Sequence, residues 1–310
     1  MKSFTIKNVI LVLSLLVNIY CAFHFYIDQT TSPADPYPFL SPRIFSDNQN
    51  DILINFIPLR NKLNEYMSKK GNSYGLYFEY LPSGNSIGIN EKKEFVFASL
   101  LKVPLVMGVY HQIELGKIYP TQVLTIRKEN IDQYFGDLWK RGIGTQITLI
   151  DAIRLTLTKS DNTAKSLLYY AVPAGTIEDV FDSLDIPKSI NSNQTVVTPK
   201  NYSSILKSLY LSSYDNVKNS NEILNFMTQS SFNDKIVAGI PDNIKVAHKI
   251  GVYEPNDIYK SIYTDCGIVY VPKRPYIICA MAQSDEASAK IFMADVSKMI
   301  YDYIKVANSN

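Results

Sequence analysis

The order of residue patterns along the chain predicts an α+β fold, a three-layer sandwich in which helices flank one antiparallel five-stranded sheet. Three observations carry this expectation. Two strand-like segments lie near the start and three near the end, each short, apolar or alternating, and bounded by turn residues. The stretch between them, about residues 103–245, is dominated by helical spacing and reads as a helical subdomain. One helix precedes the first strands and another follows the last, so the terminal segments complete one sheet with helices packed on it. At 310 residues, 46% of them hydrophobic, the chain is long enough for one substantial core.

Residues 1–8 contain Lys2 and Lys7 and read as a cytoplasmic N-terminus. Residues 9–27 are mostly apolar and about one hydrocarbon core long as a helix, which predicts a transmembrane signal-anchor. The alternative is secretion after signal-peptide cleavage, but Tyr20-Cys21-Ala22 fits a small-residue cleavage rule poorly. On either reading the remainder lies outside the cytoplasmic membrane. Residues 28–47, with Pro33, Pro36, Pro38 and Pro42, read as an extended tether to a domain over 48–310.

Within that domain a helix is expected over about 51–70, with Ile52, Phe56, Leu59, Leu63 and Met67 as its core stripe. Pro58 either kinks this helix or marks its true start. Strands follow at 74–80 and 86–89, joined by the turn Leu81-Pro82-Ser83-Gly84-Asn85. A helix carrying Ser99 runs to about Leu115. Residues 146–171 read as helices broken at Lys159–Asn162, and 176–184 and 200–211 are helical in spacing. Strands are expected at 246–248, 264–271 and 276–282, the last two a hairpin around Pro272 and Pro275. A closing helix spans 287–306, with Ile291, Val296, Ile300 and Ile304 apolar.

The net charge of +2 gives no field suited to nucleic acid, and none is expected as a partner. None of Cys21, Cys266 and Cys279 sits in a C-x-x-C, and no His/Cys cluster has metal-ligand spacing. His24 lies in the apolar stretch and His111 on a helix, so neither a metal nor a cofactor is expected. Cys266 and Cys279 flank a hairpin turn. The register decides whether they meet, and it is not readable here.

The chemistry concentrates in Ser99-Leu100-Leu101-Lys102. This spacing puts a hydroxyl and an amine one turn apart on one helix face. Pro104 is best tolerated near a helix start, which puts Ser99 at the N-terminus, where unpaired N–H groups can stabilise an oxyanion. Lys102 can take the serine proton if burial keeps the amine neutral. A second match, Ser204 to Lys207, reads as the polar side of an ordinary helix. Ser160-Asp161-Asn162 and then His248-Lys249-Ile250-Gly251 follow downstream.

These three motifs, in this order, resemble those of the class A β-lactamase-like, penicillin-recognising serine hydrolases. The resemblance covers about residues 51–302 and extends to Gly142–Asp151, Ala238–Pro241 and Asp265–Val269. It implies the β-lactamase/transpeptidase-like fold. It implies Ser99 as acylated nucleophile, Lys102 as its base, and Ser160 as the hydroxyl relaying a proton to the leaving nitrogen. Ser160 as a plain helix cap is the alternative. Asn162 matches the amide that binds a substrate amide, or else is a turn residue. Lys249 matches the cation for a substrate carboxylate, in a K-x-G element completed by Gly251. The N–H groups of Ser99 and Val252 match the oxyanion hole. Strand alternation turns His248 to the opposite face, as packing.

Two departures bear on function. Ile250 replaces the hydroxyl residue of the K-[TS]-G motif, removing one hydrogen bond to a carboxylate. The family's omega-loop glutamate has no counterpart in residues 186–197, which contain no carboxylate; Gln194 can hold water but cannot take its proton. The expected activity is therefore an acyl-enzyme at Ser99 with β-lactams or D-Ala-D-Ala-type peptides, slowly deacylated, from a monomeric protein. The rival reading is a non-hydrolytic envelope binder or sensor of cell-wall fragments or β-lactams.

Overall fold

The computed structural model describes residues 6–30, 37–41, 54–191, 193–255 and 261–306, with side chains at 11–23, 37–41, 54–190, 193–255 and 261–306. It contains two compact units, Met1–Pro38 and Phe39–Asn310. The first holds α1, Ile6–Thr30, whose Leu11, Leu13, Leu16, Ile19 and Phe23 are all exposed. Among the described residues no helix is long and apolar enough to cross a membrane. Part of the expected tether, residues 31–36 and 42–47, lies outside the described residues. Phe39 belongs to the second unit, its ring centroid 5.3 Å from that of Tyr270.

The second unit opens with α2, Ile57–Ser68, which buries Leu59, Leu63 and Met67. Pro58 marks its start, the position where a missing N–H leaves no helical bond unmade. Phe56 is buried just ahead of it, and Ile52 of the expected stripe lies outside the described residues. β1, Tyr74–Tyr80, and β2, Asn85–Ile89, form the first hairpin. β3 is the short Phe95–Val96, a 3-10 turn spans Ala98–Leu101, and α3 runs Lys102–Glu114. The helical region holds α4, Leu149–Thr158; α5, Asn162–Ala171; α6, Thr176–Ser183; α7, Pro199–Leu211; and α8, Val217–Met227. Two small ladders lie within it. β4, Val123–Thr125, pairs with β5, Gln146–Thr148, so residues 146–148 are strand rather than the expected helix. β6, Ser189–Asn191, pairs with β7, Gln194–Val197, and β7 continues onto β3. The chain closes with β8, Val246–Tyr253; β9, Ile262–Val269; β10, Tyr276–Gln283; and α9, Glu286–Val306.

The main sheet has the order β2-β1-β10-β9-β8, all antiparallel, which is the expected five-stranded sheet assembled from both ends of the domain. Strand alternation separates two cores. On one face Leu76, Phe78, Ile278 and Ala280 pack against Leu59 and Leu63 of α2 and against Phe292, Val296 and Ile300 of α9. On the other, Tyr77, Ile277, Met281 and Ala247 join the helical region through Val106, Ile153, Leu168 and Ile205. The stripe of α9 is Ala289, Phe292, Met293, Val296, Ile300 and Ile304, whereas Ile291 is 58% exposed. Ile291 falls one residue out of the 3.6-residue phase that the others keep. Register places Cys266 directly opposite Cys279, and the two form a buried disulfide.

Candidate active site

Ser99 lies in the 3-10 turn that leads into α3, one turn ahead of the α-helix proper. Two constraints hold it there. Ala98 adopts a left-handed backbone, φ 46°, a conformation that persists in a non-glycine residue only when the surroundings impose it. The preceding Phe97 is pinned by a bond from its N–H to Thr195 O (2.9 Å) on β7 and by its stacked contact with Phe181. From the other side β8 packs onto the turn. A Cβ at Gly251 would sit 2.5 Å from Thr264 Oγ1 and 3.1 Å from Phe97 O, so only glycine permits this approach.

Lys102, 2% exposed, occupies the first turn of α3 and points into a polar knot. Its Nζ lies 3.0 Å from Ser99 Oγ, 2.5 Å from Ser160 O, 2.9 Å from Ser160 Oγ and 2.6 Å from Asn162 Oδ1. Burial first, then the charges of Lys249 and Lys165, hold this amine well below the ordinary lysine range. The hydrogen-bond geometry agrees with a neutral amine. Such an amine has two N–H donors and one lone pair. Ser160 O and Asn162 Oδ1 are carbonyl oxygens that only accept, and they take both donors. The lone pair is left for a hydroxyl, and both Ser160 at 2.9 Å and Ser99 at 3.0 Å are in reach to donate to it. That is the arrangement of a nucleophile and its base.

Ser160 is also left-handed, φ 52°, and this turn separates its duties from those of its neighbour. The N-cap of α5 is Asp161, whose Oδ1 accepts from Ala164 N (2.8 Å) and whose Oδ2 accepts from Leu138 N (2.8 Å). The helix-cap alternative for Ser160 is therefore taken by Asp161, and the Ser160 hydroxyl is free to face both lysines. Lys249 Nζ donates to Ser160 Oγ at 2.8 Å and to Ile250 O at 3.0 Å. Burial pushes Lys249 down to about 7, against the opposing pull of Asp265. Asn162 opens α5 and serves Lys102 as well as the cavity, so its place is more than a turn.

A cavity of about 350 Å³ lies over these groups. Ser99, Lys102, Asn162 and Val252 line it, with Tyr134, Phe135, Lys165, Gln194 and Tyr253 around them. The structure thus gathers all seven residues singled out in the sequence at one place: Ser99, Lys102, Ser160, Asn162, Lys249, Gly251 and Val252. No Asp or Glu lines the cavity among the described residues. Glu254 stands at the end of β8, its two oxygens held by Tyr134 OH (2.7 Å) and Tyr263 OH (2.6 Å). Those two bonds draw its carboxyl below the usual glutamate range, with Tyr263 the larger influence.

The sequence did not single out the aromatic wall of Tyr134 and Phe135, because aromatic residues preceding a helix carry no distinctive pattern. It also missed Asp265. His248 does face away from Lys249, as alternation requires, but it is more than packing. Its Nδ1 lies 2.8 Å from Asp265 Oδ1 in a buried pair, and Asp265 Oδ2 accepts from Ile236 N. The second S-x-x-K is an ordinary helix face: Ser204 is exposed and Lys207 pairs with the buried Glu79 at 2.5 Å.

Comparison with known proteins agrees with this geometry. β-Lactamase CARB-3 of Pseudomonas aeruginosa is 27% identical over 177 residues, which cover 52% of this chain and 61% of that protein. The fold is shared with TLA-3 extended-spectrum β-lactamase at a TM-score of 0.73 and 20% identity, covering 81% of this chain and 99% of the other. It is shared equally with a PBP-A mutant solved as an acyl-enzyme complex with penicillin G, at a TM-score of 0.72 and 22% identity, covering 80% and 96%. The family description "Beta-lactamase enzyme family" matches residues 58–304, a span that runs from α2 to α9 and holds every group of the site just described, and the chain belongs to that family.

Proposed function

We propose that the protein is a serine hydrolase that forms an acyl-enzyme at Ser99 with β-lactams or D-Ala-D-Ala-type peptides and releases the product slowly. The observation that carries this reading is the buried Lys102 amine, held by Ser160 O and Asn162 Oδ1 and 3.0 Å from Ser99 Oγ. Lys102 takes the Ser99 proton as the oxygen attacks the carbonyl. The N–H groups of Ser99 and Val252 receive the oxyanion, and Ser160, set between Lys102 and Lys249, passes a proton to the departing nitrogen. Lys249 and Lys165 favour a substrate that carries a carboxylate.

Slow release is supported by the absence of any carboxylate among the described cavity residues, since water beside the ester then has no carboxylate to take its proton. A long-lived adduct also suits the rival role of an envelope sensor, in which capture rather than turnover is the output. We infer that the domain lies outside the cytoplasmic membrane with the apolar residues 9–27 as its anchor, although no helix among the described residues is by itself long and apolar enough to cross a membrane. The apolar surface of α1 and the buried Cys266–Cys279 disulfide, a bond at home in oxidising compartments, support the placement.

Intact-protein mass spectrometry after penicillin treatment tests the chemistry. The expected result is one covalent adduct, lost in Ser99→Ala. An adduct that persists in the variant, or none with any β-lactam or peptide thioester, overturns the proposal. For the anchor, full-length protein is expected to stay in the membrane fraction after alkaline wash; a mature N-terminus beyond Ala22 shows cleavage instead.

A further inference from the structure

At the end of α3 remote from Lys102, three potential ligands converge on one point. His111 and Glu114 share a face in the last turn of that helix, at i and i+3. Asp215 comes from the connection between α7 and α8. One ligand atom from each lies within 4.8 Å of the other two. Asp215 is 2% exposed, and neither of its carboxylate oxygens has a hydrogen-bond partner. His111 Nδ1 is likewise buried and unpartnered. A buried carboxylate without a partner is a heavy penalty that native structures relieve by a proton, a water or a cation.

We propose that His111, Glu114 and Asp215 form a divalent-metal site of the zinc type, distinct from the Ser99 cavity. Imidazole nitrogen and carboxylate oxygen are both zinc donors, and three of them leave a fourth position for water. Zinc bonds of ~2.0–2.2 Å need the ligand atoms roughly 3.5 Å apart, so the set closes by about 1 Å on binding. Glu114 is exposed, and its Oε2 is left to turn toward the ion. It is also oriented from behind, because its Oε1 accepts from Asn216 N and Asn219 Nδ2, both at 2.8 Å. Such outer contacts aim metal ligands. An adjoining cavity of about 550 Å³, lined by His111, Lys117, Asp179 and Tyr214, gives an ion its way in. Bound there, the ion ties the end of α3 to the start of α8. The sequence argued against a metal because it was searched for local spacing, and Asp215 comes from a distant element.

Zinc titration of the full-length, chelator-treated protein tests the site. A Cys21→Ser background removes the one free thiol among the described residues. Calorimetry is expected to give one zinc per chain at micromolar affinity or better, with a raised midpoint of thermal unfolding. Mg²⁺ at the same concentration is expected to do neither. His111→Ala and Asp215→Asn should each weaken binding at least tenfold. Asp215→Asn keeps the side-chain volume, and circular dichroism checks that each variant is folded before its zinc binding is compared. Absence of saturable zinc binding, or zinc binding unchanged in both variants, overturns the proposal. Neither outcome depends on the acyl-transfer reading.

Discussion

Replacing Lys249 by methionine should stabilise the fold while abolishing acylation. Lys249 is 1% exposed, and its amine falls from the ordinary 10.5 to about 7 chiefly because burial penalises the charged form. Its folded pKa lies below its unfolded one. Between pH 7 and 10.5 the unfolded chain therefore binds more protons than the folded chain, and wild-type stability climbs through that window. At about pH 6 and below both states are charged and the penalty is complete. At 1.36 kcal/mol per pKa unit, the linkage puts the penalty at about 4 kcal/mol at pH 7 and about 2 kcal/mol at pH 9. Methionine fills nearly the same volume with no charge. It forfeits the bonds to Ser160 Oγ and Ile250 O, worth about 1 kcal/mol each. The expected net gain is about 2 kcal/mol at pH 7, or roughly 4–8 °C in Tm for a domain of this size, and it shrinks to near zero by pH 9. Losing the Lys249 charge also relieves Lys102, which acts in the same direction. Urea unfolding of both proteins at pH 7 and 9 measures the gap. A variant less stable than wild type at pH 7, or a gap that does not change with pH, refutes the reasoning.

Other expectations follow from single contacts. Lys102→Arg keeps the charge but cannot give up its proton, so the rate of penicillin labelling should fall by about 10²–10⁴ with the fold intact; near-normal labelling would remove Lys102 from the role of base. In Gly136→Ala the new Cβ would sit 2.1 Å from Asp161 Oδ2 at φ +83°, displacing the cap that serves Leu138 and Ala164. A loss of about 2–4 kcal/mol is expected in urea unfolding, and a change below ~0.5 kcal/mol would show the cap to be dispensable. Changing both Cys266 and Cys279 to alanine should lower stability by about 2–4 kcal/mol, read by the same method, and no loss would mean the hairpin is held by its ladder alone. Nitrocefin should give a burst near one equivalent followed by a slow steady state, whereas fast turnover without a burst would place an effective base beside the ester.

The strands of the main sheet were legible because most are apolar runs and the polar β2 is set off by the turn that joins it to β1, and their topology because both chain ends contribute to it. The site was legible because its chemistry is spelled in local motifs. What escaped has a common physical origin in pairing between distant segments. β6 and β7 are only three and four residues long, too short to show an alternation of their own, and form by pairing with each other and, for β7, with β3. The Cys266–Cys279 bond depended on register, which a one-residue slip would have reversed. Asp265 and Asp215 look like any acidic residue in sequence. Only burial gives them meaning, one against His248 and the other beside His111.

The two halves of the proposed cycle rest on different walls of the cavity. The groups for acylation stand on elements tied into the core. Lys102 is on α3, Ser160 in the turn capped by Asp161, and Lys249 on a strand buried over Val246–Gly251. Each is held by several contacts, and Ser160 Oγ joins the two lysines into one unit. The opposite wall is the β6–β7 hairpin, where Gln194 is the polar side chain that reaches the cavity. That hairpin continues the ladder of β3, Phe95 opposite Val197 and Val96 opposite Val196, and Phe97 N bonds Thr195 O two residues before the nucleophile. Here the chain uses the space beside Ser99 to brace the segment that carries it. On the proposed reading, the residues beside Ser99 brace the nucleophile and offer no carboxylate for release.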